Sequence, residues 1–394
     1  MNKREYLTAE SVTIGHPDKL ADEIADGILT ECIKQDRNSR VACEVMLTNG
    51  KCYISGEITT RANVDYISVA KGVIKDVGYE TKNVKFVCQI HEQSPDIKVA
   101  VDKTDKKEMG AGDQGIVYGY ATNETPEMLP LPFVTARKIT SELHSYIKSF
   151  EKNNDDDKKQ ICPIKPDGKA LVSVVRDKNG IHLKNIVVSV QHVHLETDEE
   201  KVEFRRLIAD AIIKKALYGK GVRPLLDEDF KIMINPSGNF EVGGFEADTG
   251  LTGRKLMVDT YGGLAHHGGG AFSGKDATKV DRSGAYLARY IAKNIVAARL
   301  CERCEISIAY AIGRAEPIAY NIDTFGTGVV SDEILRKAVS KVFDPRPQAI
   351  IQQFDLTSVD YLKVAFRGHF GNDEFPWEKT DKAEMLRIMV KNEI

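Results

Sequence analysis

The sequence predicts an α+β fold built from three similar modules, each a β-hairpin followed by a covering helix. Three observations predict it. Apolar residues alternate with period two in three separate hairpin patterns. Each hairpin precedes a capped stretch with helical spacing, so each sheet can bury one face under its helix. The 394 residues suit two or three domains of roughly 100–200 residues.

Pro17 fits the first turn of a helix, and Leu20, Ile24, Ile28 and Cys32 give it a buried stripe. Val41, Cys43, Val45 and Leu47 alternate as in a half-buried strand. Asn49-Gly50 supplies a tight turn, and residues 51–58 return as the partner strand. Asn63 then caps a helix with Val64, Ile67, Ile74 and Val77 on one side, and Gly78 ends it. Residues 169–176 and 185–191 flank Lys178-Asn179-Gly180 as the second hairpin. Thr197 and Glu200 form a capping box before a helix bearing Phe204, Ile208, Ala211 and Ile212. The third hairpin alternates through Ile306, Ile308, Tyr310 and Ile312, then Ile318, Tyr320 and Ile322. Ser331 caps its helix of Ile334, Ala338 and Val342. Asn153 to Gln160, with Asp155-Asp156-Asp157, reads as a solvated linker.

The 55 basic and 58 acidic side chains leave a net charge of −3, which argues against nucleic acid as a partner. Apolar runs are short, so no membrane span is expected, and no apolar leader follows Met1 to Tyr6. Seven cysteines, an odd number in a long chain, point to reduced thiols and a cytoplasmic location. Cys301 and Cys304 form one C-x-x-C with no second pair or nearby histidines, so zinc is not expected.

Three clusters can carry chemistry. Residues 235–284 hold Asn235 to Phe240, Asp248 to Lys255 and Gly268 to Asp276, with Lys279 and Asp281 beyond. Glycines admit close backbone approach, and Arg254, Lys255, Lys275 and Lys279 suit a polyphosphate; Asp248 and Asp281 suit Mg²⁺. Gly269 to Lys275 matches G-x-x-x-x-G-K, but Asp276 stands where a P-loop needs Ser or Thr. A solvated glycine-rich surface loop is the bland alternative, and four cations with two carboxylates between residues 248 and 281 argue against it. The second cluster, Glu10 to Lys19, places His16 and Asp18 at a helix start, where either an anion or a simple cap fits. The third runs from Gln93-Ser94-Pro95-Asp96 to Gly110-Ala111-Gly112-Asp113-Gln114-Gly115, and reads as either an active-site loop or an ordinary surface loop.

Gly15-His16-Pro17-Asp18-Lys19, Gln93 to Asp96, Gly110 to Gly115, Gly250-Leu251-Thr252-Gly253-Arg254-Lys255 and Gly268 to Asp276 together resemble the S-adenosylmethionine synthetase (methionine adenosyltransferase) family. The likeness continues in Gly368-His369-Phe370-Gly371 and Phe375 to Asp381, and so spans nearly the whole chain. It implies three α+β domains with pseudo-threefold symmetry and mixed sheets covered by helices. These would span residues 1–101, 110–232 and 233–394, with segments exchanged between folding units. It implies a cytoplasmic homodimer, often paired into a homotetramer, with active sites at the subunit interface and no nucleic-acid or membrane partner. ATP and L-methionine would be the substrates, with two Mg²⁺ per site and one K⁺ per subunit, in one-carbon metabolism.

The implied reaction is attack of methionine sulfur on C5′ of ATP. Triphosphate leaves and is then hydrolysed to pyrophosphate and phosphate. A thioether is neutral and nucleophilic, so catalysis becomes positioning and stabilisation of a polyanion. Matching by position implies His16, Lys169, Arg254, Lys275 and Lys279 as catalytic, with His16 at the triphosphate and the departing 5′ oxygen. His16, Asp167, Lys169, Asn239, Phe240, Asp248, Arg254, Lys255, Ala271 and Lys275 would line ATP, with Phe240 stacked on adenine. Glu57, Gln93, Asp248 and Lys279 would line methionine, and Asp113 is a further substrate-site candidate. Asp18 and Asp281 would hold Mg²⁺, and Glu44 K⁺. Without the resemblance, Glu44 and Glu57 read as plain strand residues and Phe240 as core.

Ile14 stands where the family usually has Glu, and Phe245-Glu246-Ala247 replaces a proline- and glycine-containing turn. Both departures bear on loop geometry rather than on these contacts. Two other readings stay open: a phosphotransferase that releases ADP, and a non-catalytic nucleotide-binding subunit of the same fold. The latter should have lost the matched His, Lys or Asp residues, and all are present.

Overall fold

The structure, a computed structural model, describes residues 4–93, 109–153, 161–218 and 224–393. Residues 94–108 and 154–160, which include most of the expected active-site loop and linker, lie outside the described residues.

The first module holds β1 (Glu5–Val12), α1 (Pro17–Gln35), β2 (Arg40–Thr48), β3 (Lys51–Thr59), α2 (Tyr66–Val77) and β4 (Lys85–His91). The second holds β5 (Gly115–Thr122), α3 (Leu131–Asn153), β6 (Ile164–Asp177), β7 (Gly180–His192), α4 (Asp198–Leu207), a π-helical turn (Ile208–Ile213), α5 (Lys214–Tyr218) and β8 (Leu225–Ile234). The third holds β9 (Gly250–Leu251), α6 (Leu256–Asp259), α7 (Val280–Ala297), β10 (Arg303–Tyr310), β11 (Ala319–Asp323), α8 (Asp332–Val342), α9 (Pro347–Gln353), α10 (Tyr361–Arg367) and α11 (Ala383–Glu393).

All three hairpins form, as β2–β3, β6–β7 and β10–β11, and each is antiparallel. β4 and β8 add in parallel to β3 and β7, which makes two of the sheets mixed. The sheets run β1-β6-β7-β8, β11-β10-β5 and β4-β3-β2-β9. Each module thus gives its leading strand to another module's sheet: β1 to the second, β5 to the third, β9 to the first. The long helix after each leading strand crosses back to its own hairpin, α1 onto β2, α3 onto β6 and α7 onto β10. This cyclic exchange locks the modules together. One core joins the first and third sheets, and a second lies between α3, β6, β7 and the α4–α5 run.

Local expectations hold with four corrections. Every residue of α1 from Pro17 to Thr30 is buried, so it carries no single apolar stripe; it lies at the centre with protein on all sides. α2 is capped by Asp65, whose carboxylate accepts the Ser68 N–H at 3.0 Å. Asn63, expected as the cap, is tied by its own N–H to Gln35. The π-helical turn shifts the helical phase after Leu207, so Ile212 and Ile213 enter the core and Ala211 only half does. Ile312 and Ile318 lie beyond β10 and β11 and are exposed, because the chain turns away to bridge Ala111. The Thr197–Glu200 capping box and the Ser331 cap are both present. All seven cysteines are free. Among the described residues, no helix is long and apolar enough to cross a membrane.

Candidate active site

His16 caps α1. Its Nδ1 accepts the Asp18 N–H at 3.2 Å, so the proton of the neutral ring sits on Nε2. Burial, then Lys255 and Lys169, push the imidazole from 6.5 to about 3, with only Asp18 opposing. His16 is therefore a neutral hydrogen-bond donor ringed by cations. Asp18 accepts the Leu251 N–H at 3.0 Å and the Lys255 ammonium at 2.5 Å, and Arg254 lies 3.6 Å away. Burial alone would raise its carboxyl; the Lys255 and Leu251 bonds more than offset that, so it stays below the ordinary carboxylate range.

Asp18 is the first rung of a ladder that sequence reading missed. Asp22 accepts the Gly253 N–H at 2.8 Å, and Asp26 accepts the Gly274 N–H at 2.9 Å. Three carboxylates spaced four residues apart share one helix face and fasten both glycine loops to α1. The spacing was visible in the sequence, but a buried acid stripe is so uncommon that an exposed face is the default expectation. A Cβ on Gly250 would lie 2.1 Å from the Pro17 carbonyl oxygen, so glycine is what lets β9 reach the helix start.

Behind the ladder runs a buried polar circuit, open at His369 Nε2, which has no hydrogen-bond partner among the described residues. Lys19 bridges Asp22 at 3.1 Å and Asp259 at 2.6 Å. Asp259 lies 3.8 Å from His369, whose Nδ1 meets the Tyr286 hydroxyl at 2.9 Å. Arg282 donates to Tyr286 and to both Asp26 oxygens, which returns the circuit to α1. The Gly368-His369-Phe370-Gly371 motif therefore supports the floor of the site.

The second cluster gathers around the Gly274 loop. Lys275 and Asp281 pair at 2.7 Å, and a Cβ on Gly270 would come 2.4 Å from the Asp281 carboxyl carbon. Residues 274–276 pair alongside β2, through Cys43 N–H to Gly274 oxygen and Asp276 N–H to Val41 oxygen. Glu44 and Glu57 share the outward face of that sheet. Surrounding protein raises the Glu44 carboxyl by displacing solvent; Lys275 opposes this and Glu57 adds to it. Lys279 is bonded to buried Asp276. The Lys275 loop is tied to α1 below the His16 cluster, because Arg282 donates to Asp26 and to the Lys275 carbonyl at 2.9 Å.

The other sequence candidates distribute around the two. Asp167 accepts the Gly244 N–H at 2.8 Å, and burial raises its carboxyl against that bond and Lys169. Lys169 is exposed and stands opposite Val12 at the end of β1. Phe240 is half-buried and pairs through its backbone with His192, while Asn239 bonds Glu241. Asp248, Arg254 and Asp113 are exposed, and Ala271 is half-buried against the Gly253 turn. The Gln93 N–H donates to Thr59. The substituted turn has its own support: Phe245 meets Tyr79 edge-on at 5.3 Å, and the Tyr79 hydroxyl donates to the Gly15 carbonyl at 2.7 Å. No group of three or more metal-ligating side chains occurs among the described residues.

Residues 4–102 match the S-adenosylmethionine synthetase N-terminal domain, residues 108–240 its central domain and residues 242–379 its C-terminal domain. The chain is 46% identical over 398 residues to the S-adenosylmethionine synthase of Sorangium cellulosum, covering 98% of this chain and 90% of the relative. It is 45% identical over 406 residues to that of Thermus thermophilus, covering 98% and 99%. It is 46% identical over 414 residues to that of Deinococcus deserti, covering 98% of each.

Proposed function

Since the chain belongs to the S-adenosylmethionine synthetase family and is a methionine adenosyltransferase, we propose that it joins ATP and L-methionine by attack of the thioether on C5′, with triphosphate leaving whole. The observation that carries this reading is His16, fixed as a neutral Nε2–H donor beside Asp18 and Lys255. With its pKa at about 3, the ring is neutral at pH 7 and acts as a hydrogen-bond donor rather than as an imidazolium acid. It hydrogen-bonds the 5′ oxygen as negative charge develops there. Lys169, Arg254 and Lys255 take the phosphate chain from one side, and Lys275 from the other. The same cations retain triphosphate for hydrolysis to pyrophosphate and phosphate. Asp167, Asn239, Phe240, Asp248 and Ala271 line the nucleoside. Glu57, Gln93, Asp248 and Lys279 line methionine, and Asp113 lies at the substrate edge.

The donor sets fit the expected metals. Asp18 and Asp281 are hard carboxylates, each already matched with a lysine that phosphate can take over. One carboxylate plus phosphate oxygens is the ordinary Mg²⁺ environment. Glu44, crowded by Glu57, suits K⁺. Held by Asp18 and Asp281, Mg²⁺ would supply charge neutralisation to the polyphosphate leaving group.

We further propose a cytoplasmic homodimer, alone or paired into a tetramer, in which one protomer's His16 cluster faces its partner's Lys275 cluster. In support, strands of all three sheets expose large apolar side chains. These are Val87 on β4, Ile116 on β5, and Leu225, Leu226, Ile232 and Met233 on β8. The test is mass spectrometry of products from ATP, methionine, Mg²⁺ and K⁺. S-adenosylmethionine, phosphate and pyrophosphate are expected only with methionine present; ADP would overturn the reading.

A further inference from the structure

A cavity of about 300 Å³ opens beside the β1–α1 turn. Thr13 and Ile14 form one wall, α3 another through Arg137, Ser141 and His144, and the α10 end a third through Phe366 and Arg367. None of these residues belongs to either cluster of the active site.

Its charges are matched with one exception. Lys19 is committed to Asp22 and Asp259, and the free Asp259 oxygen is sealed from solvent. Arg367 is paired with Glu374. Burial, then Lys148, keep the His144 imidazole below its ordinary value and so neutral, with Glu151 opposing. Arg137 is the exception. A guanidinium has five N–H donors, and among the described residues its hydrogen-bond partner is the Phe370 carbonyl, with no carboxylate at ion-pair distance. Its guanidinium carbon lies 5.5 Å over the Phe133 ring, which fixes its position. Neighbouring protein has already removed much of its water; burial lowers its pKa, with Glu127 and Glu378 opposing from beyond ion-pair distance. Ile14, where the resembled family carries Glu, lines the cavity, so no acid answers Arg137 from that wall.

A half-buried, positioned and unpaired guanidinium is a receptor for an anion. The rest of the lining sets the ligand's body. Phe366 and His144 meet edge-on at 5.0 Å at the cavity, and Val258 and Ile14 add aliphatic surface. We propose that this cavity binds a small organic anion, with a carboxylate or phosphate on Arg137 and an apolar, ring-sized body against Phe366 and Ile14.

The test uses the whole enzyme saturated with methionine and a non-hydrolysable ATP analogue, so that the active site is filled. Benzoate and phenyl phosphate are titrated in by calorimetry, which separates the two head-groups. Binding by at least one is expected in the millimolar range. Affinity should fall about tenfold or more in Ile14→Glu, which supplies an internal partner for Arg137, and in Arg137→Gln. Arg137 also holds Phe370, so Ser141→Trp, a substitution at an exposed position beside the cavity, provides a loss that does not touch the core. Failure of both probes to bind overturns the proposal. So does undiminished affinity in Ser141→Trp and Ile14→Glu, or binding seen only when ATP analogue and methionine are left out.

Discussion

The Lys255 ammonium sits 2.5 Å from the Asp18 carboxylate, 237 residues away along the chain. A proposed phosphate ligand and a proposed metal ligand thus neutralise each other when substrate is absent. Incoming triphosphate and Mg²⁺ would exchange one internal pair for two external ones. The same holds for Lys275 and Asp281 at 2.7 Å.

Asp18→Asn keeps an oxygen for the Leu251 N–H but removes the charge. The fold should survive, with a thermal midpoint near that of the parent, while kcat drops by about 10² or more. Steady-state kinetics at saturating Mg²⁺ check this, and near-normal turnover would remove Asp18 from the metal site.

His16 is assigned to the 5′ oxygen, which triphosphate hydrolysis does not involve. His16→Asn should slow S-adenosylmethionine formation by roughly 10²–10³ while hydrolysis of added triphosphate falls much less. Two single-turnover assays, one begun with ATP and methionine and one with triphosphate, measure the split. Equal losses would reduce His16 to a cap or a general phosphate ligand.

His16 also sets a pH dependence. Its folded value of about 3 lies below the 6.5 of a free imidazole, so between them the unfolded chain binds a proton that the folded chain refuses. Its contribution to stability is whole above 6.5 and drains away as pH falls towards about 3. The thermal midpoint of His16→Asn should therefore decline less steeply over that window than the parent's. Parallel curves would contradict the assignment.

Asp26 and Arg282 are both fully buried and paired at 2.6 Å. Asp26→Ala strands the guanidinium and frees the Gly274 N–H, for an expected loss of about 3–5 kcal/mol in urea unfolding. A loss below about 1 kcal/mol would mean that the ladder does not hold the Gly274 loop.

If sites are shared between protomers, His16→Asn and Lys275→Met should complement. Random mixing of subunits makes half the dimers hybrid, each with one intact site, so activity should return to about a quarter of the parent's. No recovery after verified subunit exchange would place both clusters in one protomer's site.

The hairpins were legible because a strand's period and a turn's residues are local: Asn49-Gly50 and the Thr197–Glu200 box act within a few positions. Corrections fell where a distant group intervened. Gln35 holds Asn63 away from capping, and Ala111 draws the Ile312 segment away from β10. The candidate residues came from motif likeness; spacing alone left His16 a cap and Glu44 an ordinary strand residue.

Alternation, turns and caps by themselves determined three hairpin-and-helix modules, because these depend on neighbours a few residues apart. Only the tertiary structure decided that β1, β5 and β9 leave their own modules, since a strand's periodicity names its buried face and not its partner edge. It also decided that Asp18, Asp22 and Asp26 turn inward. Carboxylates are buried only where donors meet them, and those donors, Leu251, Gly253, Gly274 and Arg282, lie more than 200 residues away in sequence.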